Sequence, residues 1–291
     1  MYMNIFITGA SGFIGKHVTE FFSKKYHVLT PTHTQLDLLD ENAVLRYFQN
    51  HSIDVVIHCA VVGGNTPKLW VKDMFYNNLR MFFNIVRCKN YYRRFINIGS
   101  GAEYDKRYPI VNVREDDLGK HIPVDDYGLY KYVCASYISS SDNMVDLRVF
   151  GIFGEGEDYQ HRFISNALCR RMYGLPITIK QNVYFDYLDV LDFVKIVEYF
   201  IHHKPKLKAY NAGTCRRTDL VSIAHAIVKL YGDNEYPIVI RNKGLAHEYS
   251  CNSSRLFGEY TRFKTTPLRL SLERLANYYR LNKSRIHKKK L

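Results

Sequence analysis

The sequence predicts a doubly wound α/β fold on a parallel sheet, and three observations carry that prediction. Short β-branched runs alternate with apolar-periodic helical stretches through the first half of the chain. A glycine-rich turn joins the first of these strands to the first helix. The intervening helices are long enough for right-handed crossovers, which place parallel strands side by side and cover both faces of the sheet. In order, "MNIFITGA" reads as a strand, "FIGKHVTEFFSKKY" as a helix, "HVLTP" as a strand and "ENAVLRYFQNH" as a helix. "IDVVIHCAV" follows as a strand, "LWVKDMFYNNLRMFFNIVRCKNY" as a long helix and "RFINIGS" as a strand. "YGLYKYVCASYISS" is then a helix and "MVDLRVFGIFG" a strand. This succession is that of a Rossmann-type core, assigned to residues 1–154.

Beyond about residue 155 the pattern is less regular, with helices at "FISNALCRRMY", "VLDFVKIVEYFIH", "DLVSIAHAIVKLYG" and "SLERLANYYRL". No repeat, low-complexity tract or linker separates the halves. Residues 155–291 are therefore expected to form mostly a smaller C-terminal α/β lobe for a substrate, packed closely on the first domain, with some segments returning to the core.

Composition limits the function classes. The 291 residues are 46% hydrophobic and 24% charged, as in a globular chain rather than a disordered one. No apolar run approaches the ~18 residues of a membrane span, and "MYMNIFITGASG" passes from strand to glycine loop without the pattern of a signal peptide, so a cytoplasmic location is expected. Cysteines 59, 88, 134, 169, 215 and 251 stand singly and fit neither a zinc cage nor a disulfide frame, which leaves no metal site and reduced thiols used mostly as small core residues. The net charge of +13 sits partly in the tail "NKSRIHKKKL", read as a solvated end; the remainder could attract a phosphorylated substrate or nucleic acid.

The glycine loop is the first chemical signal. Gly9, Gly12 and Gly15 in "TGASGFIG" allow a tight turn and close backbone approach, and the following helix N-terminus offers N–H donors to a pyrophosphate. In the region after the second strand, "HVLTPTHTQ", no acid precedes Asp37, so nothing repels a 2′-phosphate, and Lys16, Thr30, Thr32 or His33 could attract one. That favours NADP over NAD, although no arginine clamp is present. Asp37 in "QLDLLD" either begins a third strand, where its carboxylate could meet an adenine amino group, or is a turn or cap residue.

Tyr127 and Lys131 in "DDYGLYKY" form the second signal, yet Tyr-x-x-x-Lys also occurs at Tyr260/Lys264 and Tyr279/Lys283. Four residues on a helix put the ammonium on the same face as the phenol, where it stabilises phenolate and makes tyrosine a faster proton donor. Only the first pair follows both a glycine loop and a serine-bearing strand end, at Ser100.

"TGASGFIG", "DLLD", "VIHCA", "NIGSGAEY", "YGLYK" and "LRVFGIFG", in this order, resemble the extended short-chain dehydrogenase/reductase superfamily. "FDYLDVLDFVKIV", "YNAGT" and "EYSCNSSRL" extend the resemblance over nearly the whole chain. The family acts on nucleotide-activated sugars as epimerases, dehydratases and ketoreductases. Within it, "TQLDLLDENAVLRYF" and "AVVGGNTPKLWVKDMFYNNLRMFFNIV" are most similar to the 4-keto sugar reductases. The resemblance implies catalysis by Ser100, Tyr127 and Lys131, with Lys131 also holding the nicotinamide ribose. It implies cofactor contacts from Gly9, Ser11, Gly12, Phe13, Ile14, Gly15, Asp37, Leu38, Cys59, Ala60 and Asn78, besides Tyr127 and Lys131. It further implies a homodimer formed through residues 70 to 90 and 127 to 141.

Departures from the family narrow the reaction. Gly101 and Ala102 stand where dehydratases carry an acid and a base, so dehydration is not expected. Ala102 also replaces the cysteine of the C3/C5 epimerising reductases, and His161 matches their histidine only loosely, so reduction without that epimerisation is expected. Val183 and Gly151 replace an arginine and an asparagine that commonly touch the sugar nucleotide. Its phosphates must then meet other cations, for which Arg148, Arg162, Arg170, Arg216 and Arg217 are candidates. The expected function is reduction of the 4-keto group of a nucleotide-diphosphate 4-keto-6-deoxy sugar for surface polysaccharide. A C4 epimerase with bound NAD, or a non-catalytic relative binding dinucleotide or RNA, are the alternatives, though no aromatic-plus-basic RNA signature stands out.

Overall fold

The computed structural model describes residues 3–64, 71–233 and 235–291. The first half runs β1 (Asn4–Thr8), α1 (Phe13–Phe22), β2 (His27–Leu29), α2 (Glu41–Asn50), β3 (Val55–His58), α3 (Met74–Val86), β4 (Arg94–Ser100), β5 (Ile110–Val113), α4 (Asp126–Ser139) and β6 (Met144–Val149). The second runs β7 (Gly151–Phe153), α5 (Phe163–Met172), β8 (Ile177–Asn182), β9 (Tyr184–Asp189), α6 (Val190–His202), β10 (Ala209–Ala212), β11 (Arg217–Asp219), α7 (Leu220–Leu230), β12 (Ile238–Leu245), β13 (Tyr249–Cys251), α8 (Ser254–Glu259) and α9 (Leu268–Leu281).

A six-stranded parallel sheet in the order β10-β6-β4-β3-β1-β2 forms the core. The twofold alternation of a strand decides which helix each residue meets. On β1, Ile5 and Ile7 face a layer with Val18 of α1 and Phe193 and Val197 of α6. Phe6 between them faces Phe48 of α2, Phe82 of α3 and Tyr130 of α4. The chain leaves β1 for β2 on one side and later returns to β3 on the other, so a crevice opens where the order reverses, at the carboxyl ends of the strands. Elements beyond residue 155 rejoin this body: β10 is its sixth strand and α6 packs against its face.

The expected ninth element, "MVDLRVFGIFG", divides in two. β6 ends at Val149 in the large sheet, whereas β7 pairs with β9 beside a second sheet ordered β11-β9-β13-β5. Gly151 permits the transfer, because a Cβ there would lie 2.6 Å from the Asp186 carbonyl oxygen. The long helix expected from residue 69 begins at Met74, after Asp73 in the left-handed region at φ 58°; its first expected residues, 69 and 70, lie outside the described residues. No third strand forms at "QLDLLD". Asp37 accepts the Leu39 N–H at 2.9 Å, and Asp40 accepts the N–H groups of Asn42 and Ala43, so both acids build the turn and cap that start α2.

The remaining lobe packs α5, α7 and α9 through Ile164, Leu168, Ile223, Ile227, Leu272 and Leu275. The tail is docked rather than wholly solvated: Ile286 is buried, and the Tyr173 hydroxyl donates to the carbonyls of Lys283 (3.0 Å) and Ile286 (2.8 Å). All six cysteines are free, and Cys88, Cys134, Cys169 and Cys251 are buried. Among the described residues no helix is long and apolar enough to cross a membrane, and no group of side chains is arranged to hold a metal ion.

Candidate active site

The loop after β1 closes on the turn after β3. Gly9 has φ +65°, and a Cβ on it would lie 2.7 Å from the Ala60 backbone, so only glycine lets the two turns touch. A Cβ on Gly15 would lie 2.1 Å from the Gly9 carbonyl oxygen, which draws α1 tightly against the loop. Gly12 caps α1 without a side chain, and the first helical turn holds no acid, so its N–H groups and positive dipole end stay open to an anion. Across the crevice the Thr8 hydroxyl accepts the Ala60 N–H (3.1 Å) and hydrogen-bonds His58 Nδ1 (2.9 Å). Burial and the nearby Lys131 ammonium push His58 down to about 3, so it stays neutral. Burial pushes the Cys59 thiol up to about 12. Asn78 is buried and holds the next stretch, accepting the Val62 N–H and donating to the Val62 carbonyl, both at 2.9 Å. These features fit the pyrophosphate of a dinucleotide.

β4 delivers Ser100 to the same crevice. Ser100 Oγ accepts the Ala102 N–H (3.1 Å) and Glu103 Oε1 accepts the Ser100 N–H (2.8 Å), a reciprocal cap that fixes the hydroxyl at the strand end. Asp125 caps α4 by accepting the Gly128 N–H at 2.9 Å, which sets Tyr127 in the first turn and Lys131 one turn later. Lys131 is buried and its Nζ donates to the Ile98 carbonyl. Ser100, Tyr127 and Lys131 line one cavity of about 700 Å³ together with Gly12, Phe13, Ile14, Gly15 and Cys59. The other two tyrosine-lysine pairs lie elsewhere: Tyr260 stacks on Tyr199 with ring centroids 4.3 Å apart, and Tyr279 is buried in the second lobe.

Gly9, Ser11, Ala60 and Asn78 are not among the residues that line the cavity, nor are Asp37 and Leu38 in their turn. The Leu38 carbonyl accepts Asn84 Nδ2 at 2.8 Å.

Of the arginines expected to meet phosphate, only Arg162 lines the cavity. Arg148 does not reach the cavity: successive residues of β6 face opposite ways, and Val149 takes the cavity side. The Arg148 guanidinium is buried against Glu103 (2.7 Å), Asp146 (3.1 Å) and the Tyr104 hydroxyl (2.8 Å). Arg170 donates to the carbonyls of Pro176 (2.6 Å) and Leu291 (2.5 Å) and so anchors the tail. Arg216 is exposed away from the cavity, and Arg217 pairs with Glu248 at 2.6 Å.

Several further lining residues were not singled out as site residues from the sequence, Lys106, Glu157, Asp158 and Tyr249 among them. Lys106 Nζ lies 5.7 Å from the centre of the Tyr127 ring, and burial, with Arg162 nearby, lowers its pKa against the opposing pull of Asp125. Glu157 is buried, accepts the Ser165 hydroxyl at 2.6 Å, and is pushed by burial up to about 8. Asp158 Oδ2 lies 2.6 Å from His161 Nδ1. Tyr249 reaches the cavity from β13. Tyr249 sits inside the motif "EYSCNSSRL" and Lys106 two residues after "NIGSGAEY", but no local spacing ties either to Tyr127.

This fold and site define the extended short-chain dehydrogenase/reductase class. The chain belongs to the NAD dependent epimerase/dehydratase family, whose profile matches residues 5–213. GDP-L-colitose synthase of Yersinia pseudotuberculosis is 33% identical over 113 residues, a match spanning 36% of this chain and 35% of that protein. dTDP-4-dehydro-6-deoxy-D-allose reductase of a Streptomyces species is 23% identical over 316 aligned positions, covering 96% of this chain and 97% of the relative. A GDP-L-fucose synthetase from Naegleria fowleri, solved bound to NADP, shares the fold with a TM-score of 0.81 at 16% identity, over 97% of this chain and 94% of that one. UDP-glucose 4-epimerase of Thermotoga maritima, solved with UDP-glucose, does so with a TM-score of 0.81 at 20% identity, over 97% and 100%.

Proposed function

We propose that the protein reduces the 4-keto group of a nucleotide-diphosphate 4-keto-6-deoxy sugar with NADPH, in deoxyhexose synthesis for surface polysaccharide. The observation that carries this reading is the convergence of Ser100, Tyr127 and Lys131 on the cavity that the glycine loop enters. The dinucleotide, when bound, supplies hydride to the carbonyl carbon. Ser100 donates a hydrogen bond to the carbonyl oxygen, and Tyr127 gives its phenol proton to the alkoxide as charge develops there. The Lys131 ammonium stabilises the resulting phenolate. Lys106 and Arg162, neighbouring cations on the lining, suit the sugar nucleotide's diphosphate. NADPH is favoured over NADH because no acid precedes Asp37 after β2, and Asp37 accepts the Leu39 N–H and lies 3.8 Å from His33 Nδ1, while Lys16 is exposed. The 4-keto sugar reductase among the relatives supports the substrate class.

The test is to mix the protein with NADPH or NADH and a panel of CDP-, GDP-, dTDP- and UDP-linked 4-keto-6-deoxy sugars, following nicotinamide absorbance and products. Oxidation of NADPH with formation of the 4-hydroxy sugar is expected. Interconversion of C4 epimers of a 4-hydroxy sugar nucleotide without net consumption of cofactor would instead make the protein an epimerase, and no reaction with any panel member would overturn the reductase reading.

A further inference from the structure

The cavity holds a second phenol beside the catalytic serine. Tyr249 rises from β13 with its ring between Phe150 (centroids 5.1 Å apart) and Phe185 (5.7 Å), which fixes the direction of its hydroxyl. That hydroxyl lies over Gly101, the residue after Ser100: a Cβ at Gly101 would stand 2.5 Å from the phenol oxygen. Gly101 is therefore the residue that lets the phenol approach the serine. The Ser100 hydroxyl favours the ionised form of Tyr249 as a nearby donor does, and the Tyr127 phenol disfavours it, so the three hydroxyls share one neighbourhood. Burial has the largest effect and raises the Tyr249 pKa, keeping it a neutral O–H donor across the working pH range.

A serine hydroxyl has two acceptor lone pairs and one proton. The Ala102 N–H already occupies one lone pair of Ser100. We propose that Tyr249 is a positioning residue that donates its O–H to the remaining lone pair of Ser100 when substrate is bound, leaving the serine proton free to point only at the substrate carbonyl oxygen. The contact tightens as the ketone displaces water from the cavity, as catalytic hydrogen bonds do on forming the reactive complex. No proton changes owner in this step; Tyr249 acts through Ser100, and Tyr127 remains the acid. The inference rests on the reductase reading above.

The test uses Tyr249→Phe, which keeps the ring between Phe150 and Phe185, measured on a sugar nucleotide that the wild type turns over. A fall in kcat of about tenfold is expected, the size of one lost hydrogen bond in the reactive complex, with KM for the sugar nucleotide and the melting temperature nearly unchanged. Ser100→Ala should lower kcat further, and Tyr249→Phe made in that background should add nothing. Wild-type kcat in Tyr249→Phe, a loss confined to KM, or a full additive loss in the double variant would each overturn the assignment while leaving the reductase reading intact. Absence of turnover by the wild type on every panel member overturns the reductase reading itself, and the Tyr249 assignment with it.

Discussion

Replacing Glu157 by glutamine tests whether the cavity wall carries a carboxyl that folding forces toward its neutral form. Glu157 is 7% exposed, and its ordinary value of 4.5 is pushed to about 8 by burial, against the smaller opposing effects of the Ser165 hydrogen bond and Arg162. Because the folded value lies above the unfolded one, the native state binds the proton more tightly. Below the ordinary carboxylate value both states are protonated and the group costs nothing; as pH rises toward 8 the penalty grows, and above 8 it is complete. At 1.36 kcal/mol per pH unit the shift sets a ceiling of about 5 kcal/mol, and entry of cavity water lowers that to roughly 2–5 kcal/mol. Glutamine keeps an oxygen for the Ser165 hydroxyl and carries no charge. Denaturant titrations at pH 5 and pH 9 should therefore give stabilities for wild type and Glu157→Gln that differ by no more than about 1 kcal/mol at the lower pH, where only the unfolded carboxyl is largely ionised. At the higher pH the variant should be the more stable by at least ~2 kcal/mol, a rise in melting temperature of several degrees. Parallel stability curves for the two proteins at all pH values would refute a buried, proton-holding Glu157.

Two further predictions separate an interior arginine from the substrate-facing cations. Arg148→Met leaves Glu103 and Asp146 as uncompensated buried carboxyls and should cost about 3–5 kcal/mol in a denaturant titration; stability within 1 kcal/mol of wild type would contradict the interior role. Arg162→Ala and Lys106→Ala should instead each raise KM for the sugar nucleotide about tenfold, with KM for NADPH and the melting temperature little changed. Steady-state kinetics with each substrate varied in turn decides that point.

Much of the dinucleotide half was legible because its periods are strong and its contacts local. "RFINIGS" coincides with β4, a strand of the large sheet, and beyond residue 155 "VLDFVKIVEYFIH" coincides with α6, which buries a continuous apolar face against that sheet. The glycine loop was legible too: its φ and close-approach requirements can be met by little else. What failed depends on tertiary choice. "MVDLRVFGIFG" has the character of one strand, and only the proximity of Gly151 to Asp186 shows that it changes sheets. "QLDLLD" looks extended until Asp37 and Asp40 spend their carboxylates on local N–H groups. Composition cannot say which face of β6 an arginine takes, so Arg148 went to the interior, and the short reach from Pro176 to Leu291 took Arg170. Lys106 and Tyr249 become neighbours of Tyr127 only through folding, separated from it along the chain by loops and by most of the second lobe. The basic tail looked solvated because the Tyr173 hydroxyl that meets the Ile286 carbonyl lies 113 positions earlier in the chain.

In the proposed mechanism Tyr127 donates the proton that accompanies hydride transfer. Single-turnover reduction of the sugar nucleotide by Tyr127→Phe, with NADPH bound beforehand, measures that donation. Because the aromatic ring and the helix cap at Asp125 remain, dinucleotide affinity and melting temperature should match wild type. The rate of NADPH oxidation should fall by roughly 10²–10⁴-fold, the usual contribution of a positioned acid. Oxidation at the wild-type rate would contradict the account.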